Sequence, residues 1–250
     1  MWSVDLVVSE MARALQEEEA RLVAEQGHQG IDALEEVAVQ GVLAERMGSE
    51  ARGWGVLREQ RYPAEWRRRG GRRGELPGEA DRLRCDLVLT PAVGQRLADE
   101  LRAERAARAR RSAATGTLFE EAEEREPRER DEGIGAAEAY WIEVKVVGQF
   151  CCVGGVPAAN GSYASQIIRG VGSDIRKLRD DRGIERAAAA LVLFTVDEEV
   201  ARNDLLVLAH RCLDAELPIR TPVQAGFGIA DRMGNSRCTV WAAELSKTGG

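Results

Sequence analysis

Val7, Met11, Leu15 and Leu22 recur at helical spacing in an acidic stretch, and this pattern predicts an amphipathic helix over residues 5–26. Gly27 to Gly30 ends it. A second helix is expected over 31–47, with Leu34, Val37, Ala38, Gly41 and Val42 on its apolar side. Two strands follow, at 54–60 and at 83–90, the second stopped by Pro91. An alanine- and arginine-rich helix is expected over 93–111, then a polar, acidic and poorly patterned insert over 112–135, read as mobile. The run Ala139-Tyr140-Trp141-Ile142-Glu143-Val144-Lys145-Val146-Val147 predicts a third strand. After a glycine-rich loop at 148–161 comes a helix over 162–180, weakened by Gly170 and Gly172 by about 1 kcal/mol each. A buried strand at 188–196, a helix at 200–215 and two strands at 223–229 and 238–244, joined by a turn at 231–236, complete the chain. The order predicts an α/β fold with a mixed central sheet flanked by helices.

Composition bounds the reading. At 250 residues the chain can form one large domain with an insert, or two domains. It has no run of 18 apolar residues, so no membrane partner is expected, and Asp5 interrupts any leader-like apolar start. The five cysteines show no metal-ligand spacing, and a reducing, cytoplasmic setting is expected. Cys151 and Cys152 read as buried thiols opening the glycine-rich loop. His28 and His210 have no evident ligand or nucleophile beside them, which argues against zinc sites and catalytic triads. No phosphate-cradling glycine fingerprint is present.

Net charge is −7, but it is unevenly spread. Residues 1–50 carry 3 basic and 11 acidic side chains, whereas 51–111 carry 16 and 9, and 112–138 carry 3 and 9. The basic block is densest at Arg67, Arg68, Arg69, Arg72 and Arg73, a glycine-loosened cluster able to follow a phosphate backbone or to serve as a solvated loop. The arginines of 102–111 carry the same two readings. Only Lys145, Lys177 and Lys247 are lysines among 35 basic residues, so each lysine merits inspection. Lys247 lies in a polar tail, and Lys177 reads as a surface partner of Asp174, three residues earlier on a helix.

Lys145 is different. On the third strand Trp141, Glu143, Lys145 and Val147 share one face, while Ile142, Val144 and Val146 share the other. Opposite charges in an apolar strand require a pairing partner, a metal or a cleft. Asp86 is a similar anomaly in the second strand, which by alternation sends Asp86 and Val88 to one side and Cys85, Leu87 and Leu89 to the other. If the two strands are neighbours, Asp86 and Glu143 can converge on one divalent cation, with Lys145 alongside. Two hard carboxylates suit Mg²⁺ or Mn²⁺, which polarises phosphate and acidifies bound water. A nearby ammonium can orient that water and stabilise developing charge.

Asp86 followed by Glu143-Val144-Lys145 on a strand resembles the signature of the PD-(D/E)xK nuclease superfamily. Three lysines and 42 acids in 250 residues give about half an acid-x-lysine triplet by chance, so the strand context and the upstream Asp86 carry the resemblance. It implies a restriction-endonuclease-like core, ordered helix-strand-strand-strand-helix-strand over 31–196. It also implies Asp86 and Glu143 as metal ligands, Lys145 as catalytic lysine, a first-helix glutamate (Glu36, with Glu35 its rival) and Gln166 as an accessory polar residue. Glu59 on the first strand reads first as an exposed strand residue or an arginine partner, with assistance to the metal site as the alternative. Cys85 stands where the name-giving proline would be, and 57 residues separate Asp86 from Glu143. The organisation expected is an acidic helical extension at 1–30, the two core halves at 31–91 and 139–250, and a long charged insert at 92–138 between the second and third strands. The function implied is Mg²⁺-dependent hydrolysis of nucleic acid, with DNA the first choice of substrate and RNA left open. The alternative is a nuclease-like fold that only binds nucleic acid or protein. A homodimer is left open.

Overall fold

The computed structural model describes residues 2–48, 52–64, 83–114 and 133–246. Helix α1 (Val4–Ala24) opens the chain, its start set by Ser3, whose Oγ accepts the Leu6 N–H at 3.2 Å. Val7, Val8, Met11 and Leu15 are buried on its inner face. The single helix expected over 31–47 is instead a 3₁₀ turn (Ile31–Ala33), two extended residues, and helix α2 (Glu36–Met47). The break has a tertiary cause. Asp32 is buried and accepts a hydrogen bond from the Asn235 amide at 3.0 Å, which pins the turn away from the α2 axis.

Strands β1 (Gly55–Arg61) and β2 (Arg84–Thr90) form an antiparallel pair, and β3 (Tyr140–Gly148) lies antiparallel beside β2. Helix α3 (Glu100–Ala114) starts later than the expected 93, because Asp99 Oδ1 accepts the N–H groups of Leu101 and Arg102, each at 3.1 Å. A parallel bridge between Leu97 and Ile134 closes the root of the segment joining β2 to β3. The expected loop at 148–161 contains a hairpin, β4 (Phe150–Val153) and β5 (Val156–Ala159), forming its own two-stranded sheet. Its turn places Gly154 and Gly155 at φ +58° and +85°, which only glycine adopts without strain. Cys152 is exposed there and Cys151 only half-buried, so the expectation of two buried thiols is corrected.

A helical turn (Tyr163–Ser165) and a π-helical turn (Gln166–Gly170) lead into helix α4 (Val171–Asp180). Strand β6 (Arg186–Thr195) then pairs parallel to β3, followed by helix α5 (Glu198–Asp214). Strands β7 (Val223–Gly228) and β8 (Arg237–Glu244) complete a mixed six-stranded sheet of order β1-β2-β3-β6-β8-β7.

Helices cover both faces, making three layers. Side chains alternate as a doubly covered sheet requires. Tyr140, Ile142, Val144, Ala188, Ala190, Val192 and Phe194 join α1 and α2 in one core. Trp141, Val147, Ala187, Ala189, Leu191 and Leu193 join α4 and α5 in the other. No helix among the described residues is long and apolar enough to cross a membrane.

Strand β2 departs from the expected alternation. Leu87 and Leu89 enter the first core, but Cys85 lies in the second with Val88. Glu59, which falls between the registered pairs Arg58–Leu87 and Gln60–Cys85, has a left-handed φ of +52°. The β1–β2 register is unbroken here, with Glu59 opposite Asp86, so the ribbon is distorted locally without an inserted residue.

Candidate active site

The end of β2–β3 pairing decides where the carboxylates go. Pairing of β2 with β3 runs from Leu89–Tyr140 to Leu87–Ile142 and then stops, while β3 continues against β6 to Gly148. From Glu143 onward β3 thus presents a free edge of backbone donors on the β2 side. Buried donors need partners. Asp86 Oδ2 accepts the Val144 N–H at 2.7 Å, and Glu36 Oε2 accepts the Val146 N–H at 3.0 Å. Two acids, one from β2 and one from the first residue of α2, replace the departed strand. The Cys85 thiol fills the remaining gap, donating to the Ile142 carbonyl at 3.3 Å.

Glu143 and Lys145 project between and beside these acids. Lys145 Nζ pairs with Glu36 Oε2 at 2.9 Å. Its stem crosses Gly170, where a Cβ would stand 3.2 Å from Lys145 Cδ and 3.3 Å from Cε. Glu143 is 3% exposed. It accepts a short hydrogen bond from the Tyr62 hydroxyl, whose ring stacks on Trp141 with centroids 6.3 Å apart. Lys177 Nζ from α4 stands 4.0 Å from Glu143 Oε2 and 2.6 Å from Asp174 Oδ1.

The electrostatics follow from burial. Desolvation, reinforced by the Asp86 charge, pushes the Glu143 carboxyl up to about 8. Desolvation also raises Asp86, against the opposing hydrogen bond from Val144. Burial works against the Lys177 ammonium, yet Glu143, Asp174 and Asp86 together hold it above the ordinary lysine value. Burial keeps the Tyr62 phenol protonated far above its usual range. The site is therefore a desolvated carboxyl pair that resists carrying two negative charges and retains a proton on Glu143 up to about pH 8. Two oxygen donors of this kind fit a hard divalent cation. Among the described residues no group of three or more histidine, cysteine, aspartate or glutamate side chains is arranged to hold a metal, so the fit concerns this pair.

The structure brings Asp86, Glu143, Lys145 and Glu36 together along one strand edge. Glu35 precedes the helix as its N-cap residue without a side-chain cap. The Gln166 amide oxygen accepts from Asn160 at 2.9 Å, and Asn160 also donates to Gly148 at the end of β3. Arg67, Arg68, Arg69, Arg72 and Arg73 lie outside the described residues, as does Lys247. The chain leading to them is anchored nearby. The Tyr62 N–H donates to the Leu83 carbonyl at 3.2 Å, and buried Asp181 accepts the Ala64 N–H at 3.0 Å.

Sequence reasoning missed Tyr62, Asp174, Lys177 and Gly170. The Asp174–Lys177 pair is not a surface decoration, because Asp174 is 8% exposed and the lysine faces Glu143. The available signal was rarity. Lys177 was one of three lysines, and Asp174 and Lys177 share a helix face with buried Val171 and Leu178. Comparisons with family models, curated proteins and solved structures returned no match.

Proposed function

We propose that this protein is a divalent-metal-dependent nuclease with a restriction-endonuclease-like core, acting on DNA. The observation that carries the reading is the meeting of Asp86 and Glu143, whose carboxyls interact where β2 leaves β3, with Lys145 and Glu36 next along the same edge. The element order supports it. Apart from helix α3 and the β4–β5 hairpin, the order α2, β1, β2, β3, α4, β6 agrees with the helix-strand-strand-strand-helix-strand order of that core.

Asp86 and Glu143 would hold Mg²⁺ or Mn²⁺. Such an ion supplies Lewis acidity toward a phosphate oxygen and acidifies bound water. The chain's own residues then do the positioning. Asp86 is fixed by the Val144 N–H and Glu143 by Tyr62, so neither carboxylate needs to reorganise. Lys145, its stem guided over Gly170, presents an ammonium that can orient an attacking water or meet charge on the phosphate. Glu36 keeps that ammonium at the strand edge until phosphate competes for it.

A second reading is a binding module on the same fold. It is favoured by the protein partners that Lys145 and Glu143 already have, Glu36 for the one and Tyr62 and Lys177 for the other. One assay separates the two. Purified protein with Mg²⁺ or Mn²⁺ is expected to nick plasmid or cut linear DNA, and Lys145→Ala to abolish cutting with an unchanged melting curve. Cutting that survives Lys145→Ala overturns the assignment. A wild-type protein that shifts DNA on a gel without cutting it selects the binding module.

A further inference from the structure

Lys145 is the lysine the resemblance singles out, yet it is not the cation paired with Glu143. That cation is Lys177, contributed by α4 from across the second core. Asp174 holds it one turn earlier on the same helix, at 2.6 Å, so the ammonium is suspended between an anchoring acid and the carboxyl pair. Lys145, by contrast, is turned toward Glu36 by the passage over Gly170. The Lys177 side chain is 37% exposed while that of Glu143 is 4% exposed. The carboxylate is therefore fixed in the interior, whereas the lysine reaches it from the solvent border on a flexible four-carbon stem.

We infer that Lys177 is the resident counter-ion of the Asp86–Glu143 pair and that a divalent cation displaces it. The inference rests on the metal reading proposed above and deepens it, because it names what controls cation affinity. Without metal, the pair needs a cation nearby once it is deprotonated, and the ammonium supplies it. A divalent cation at the pair is repelled by that ammonium at short range, so the two compete for one place. Asp174 gives the displaced lysine a second partner, which lets it swing aside without leaving the site. Lysine suits this better than arginine, since a compact point charge disengages more readily than a forked one.

The experiment uses the full chain with Ca²⁺ as probe, by titration calorimetry at pH 9 in the absence of nucleic acid, which limits proton competition for the pair. Lys177→Met keeps the length and removes the charge. Its affinity for Ca²⁺ is expected to rise about tenfold, from the loss of a like charge a few ångströms away. Lys177→Arg, which restores a charge that disengages less readily, is expected to bring the affinity back to that of wild type or below it. A purely packing role for Lys177 would not produce that reversal. Equal or weaker binding by Lys177→Met overturns the counter-ion role and leaves the metal reading standing. If neither wild type nor Lys177→Met takes up Ca²⁺, the metal reading fails and the displacement with it. A metal-free double-mutant cycle on urea unfolding gives an independent check. At pH 9 Lys177→Met should destabilise the wild-type background more than the Glu143→Gln background, where only the Asp174 contact is lost; equal losses in both backgrounds overturn the pairing.

Discussion

Glu143→Gln removes a buried charge with almost no change of shape, and the amide oxygen can still accept from Tyr62. The carboxyl has an ordinary value of 4.5 in the unfolded chain and is pushed up to about 8 in the fold, by desolvation and then by Asp86. Between those values the folded protein keeps a proton that the unfolded chain releases. Folded protein then binds more protons than unfolded, so stability falls as pH rises through this window. At about 1.4 kcal/mol per pH unit, the rise corresponds to about 5 kcal/mol at pH 8.5. The residue is 3% exposed, so solvent screens little of this, although relaxation around Asp86 and Lys177 brings the expected figure to about 3 kcal/mol. The assay is urea unfolding followed by tryptophan fluorescence, in chelator, at pH 5, 6.5 and 8.5. The variant should match wild type at pH 5 and exceed it by about 3 kcal/mol at pH 8.5. Millimolar Mg²⁺ should then stabilise wild type at pH 8.5 and leave Glu143→Gln unchanged. A stability difference that stays flat with pH, or Mg²⁺ stabilising both proteins alike, would refute the reasoning.

Gly170→Ala places a methyl 3.2 Å from Lys145 Cδ, so the lysine stem must shift by a few tenths of an ångström. DNA cutting should fall at least about tenfold, as a misplaced catalytic group implies, with a melting shift of no more than a few degrees; unimpaired cutting would detach Gly170 from lysine placement. Asn235 is fully buried and its amide bridges Asp32 to both backbone groups of Phe150. Asn235→Ala should lower unfolding free energy by about 3 kcal/mol in urea titrations, the cost of several unsatisfied buried polar groups; a loss under 0.5 kcal/mol would mean that the bridge is dispensable.

The helices and strands were legible where one period dominated. Val7, Met11 and Leu15 announce α1, and the continuous apolar run from Ala188 to Thr195 announces β6, because a fully buried strand needs no polar face. Elements set by side-chain contacts across the fold were not. The break at Asp32 depends on Asn235, 203 residues away, and no local pattern encodes it. The hairpin at Gly154–Gly155 was readable as a glycine-bearing turn, but strands of only four residues carry too little periodicity.

The sequence by itself determined the α/β layering and the anomaly of Asp86, Glu143 and Lys145, since a charge in an apolar strand stands out wherever the strand lies. It also made Lys145 worth inspecting through the scarcity of lysine. Only the tertiary structure decided that β2 and β3 are neighbours across a 57-residue separation, and that their pairing ends just before Asp86 and Glu143. Only it decided that Glu36 rather than Glu35 faces the strand edge, and that Lys177 turns inward to Glu143. The physical reason is the same in each case. Periodicity reports which face of an element is buried, whereas the partners of a buried charge come from whichever other elements pack within about 4 Å of it, and packing is a property of the whole fold.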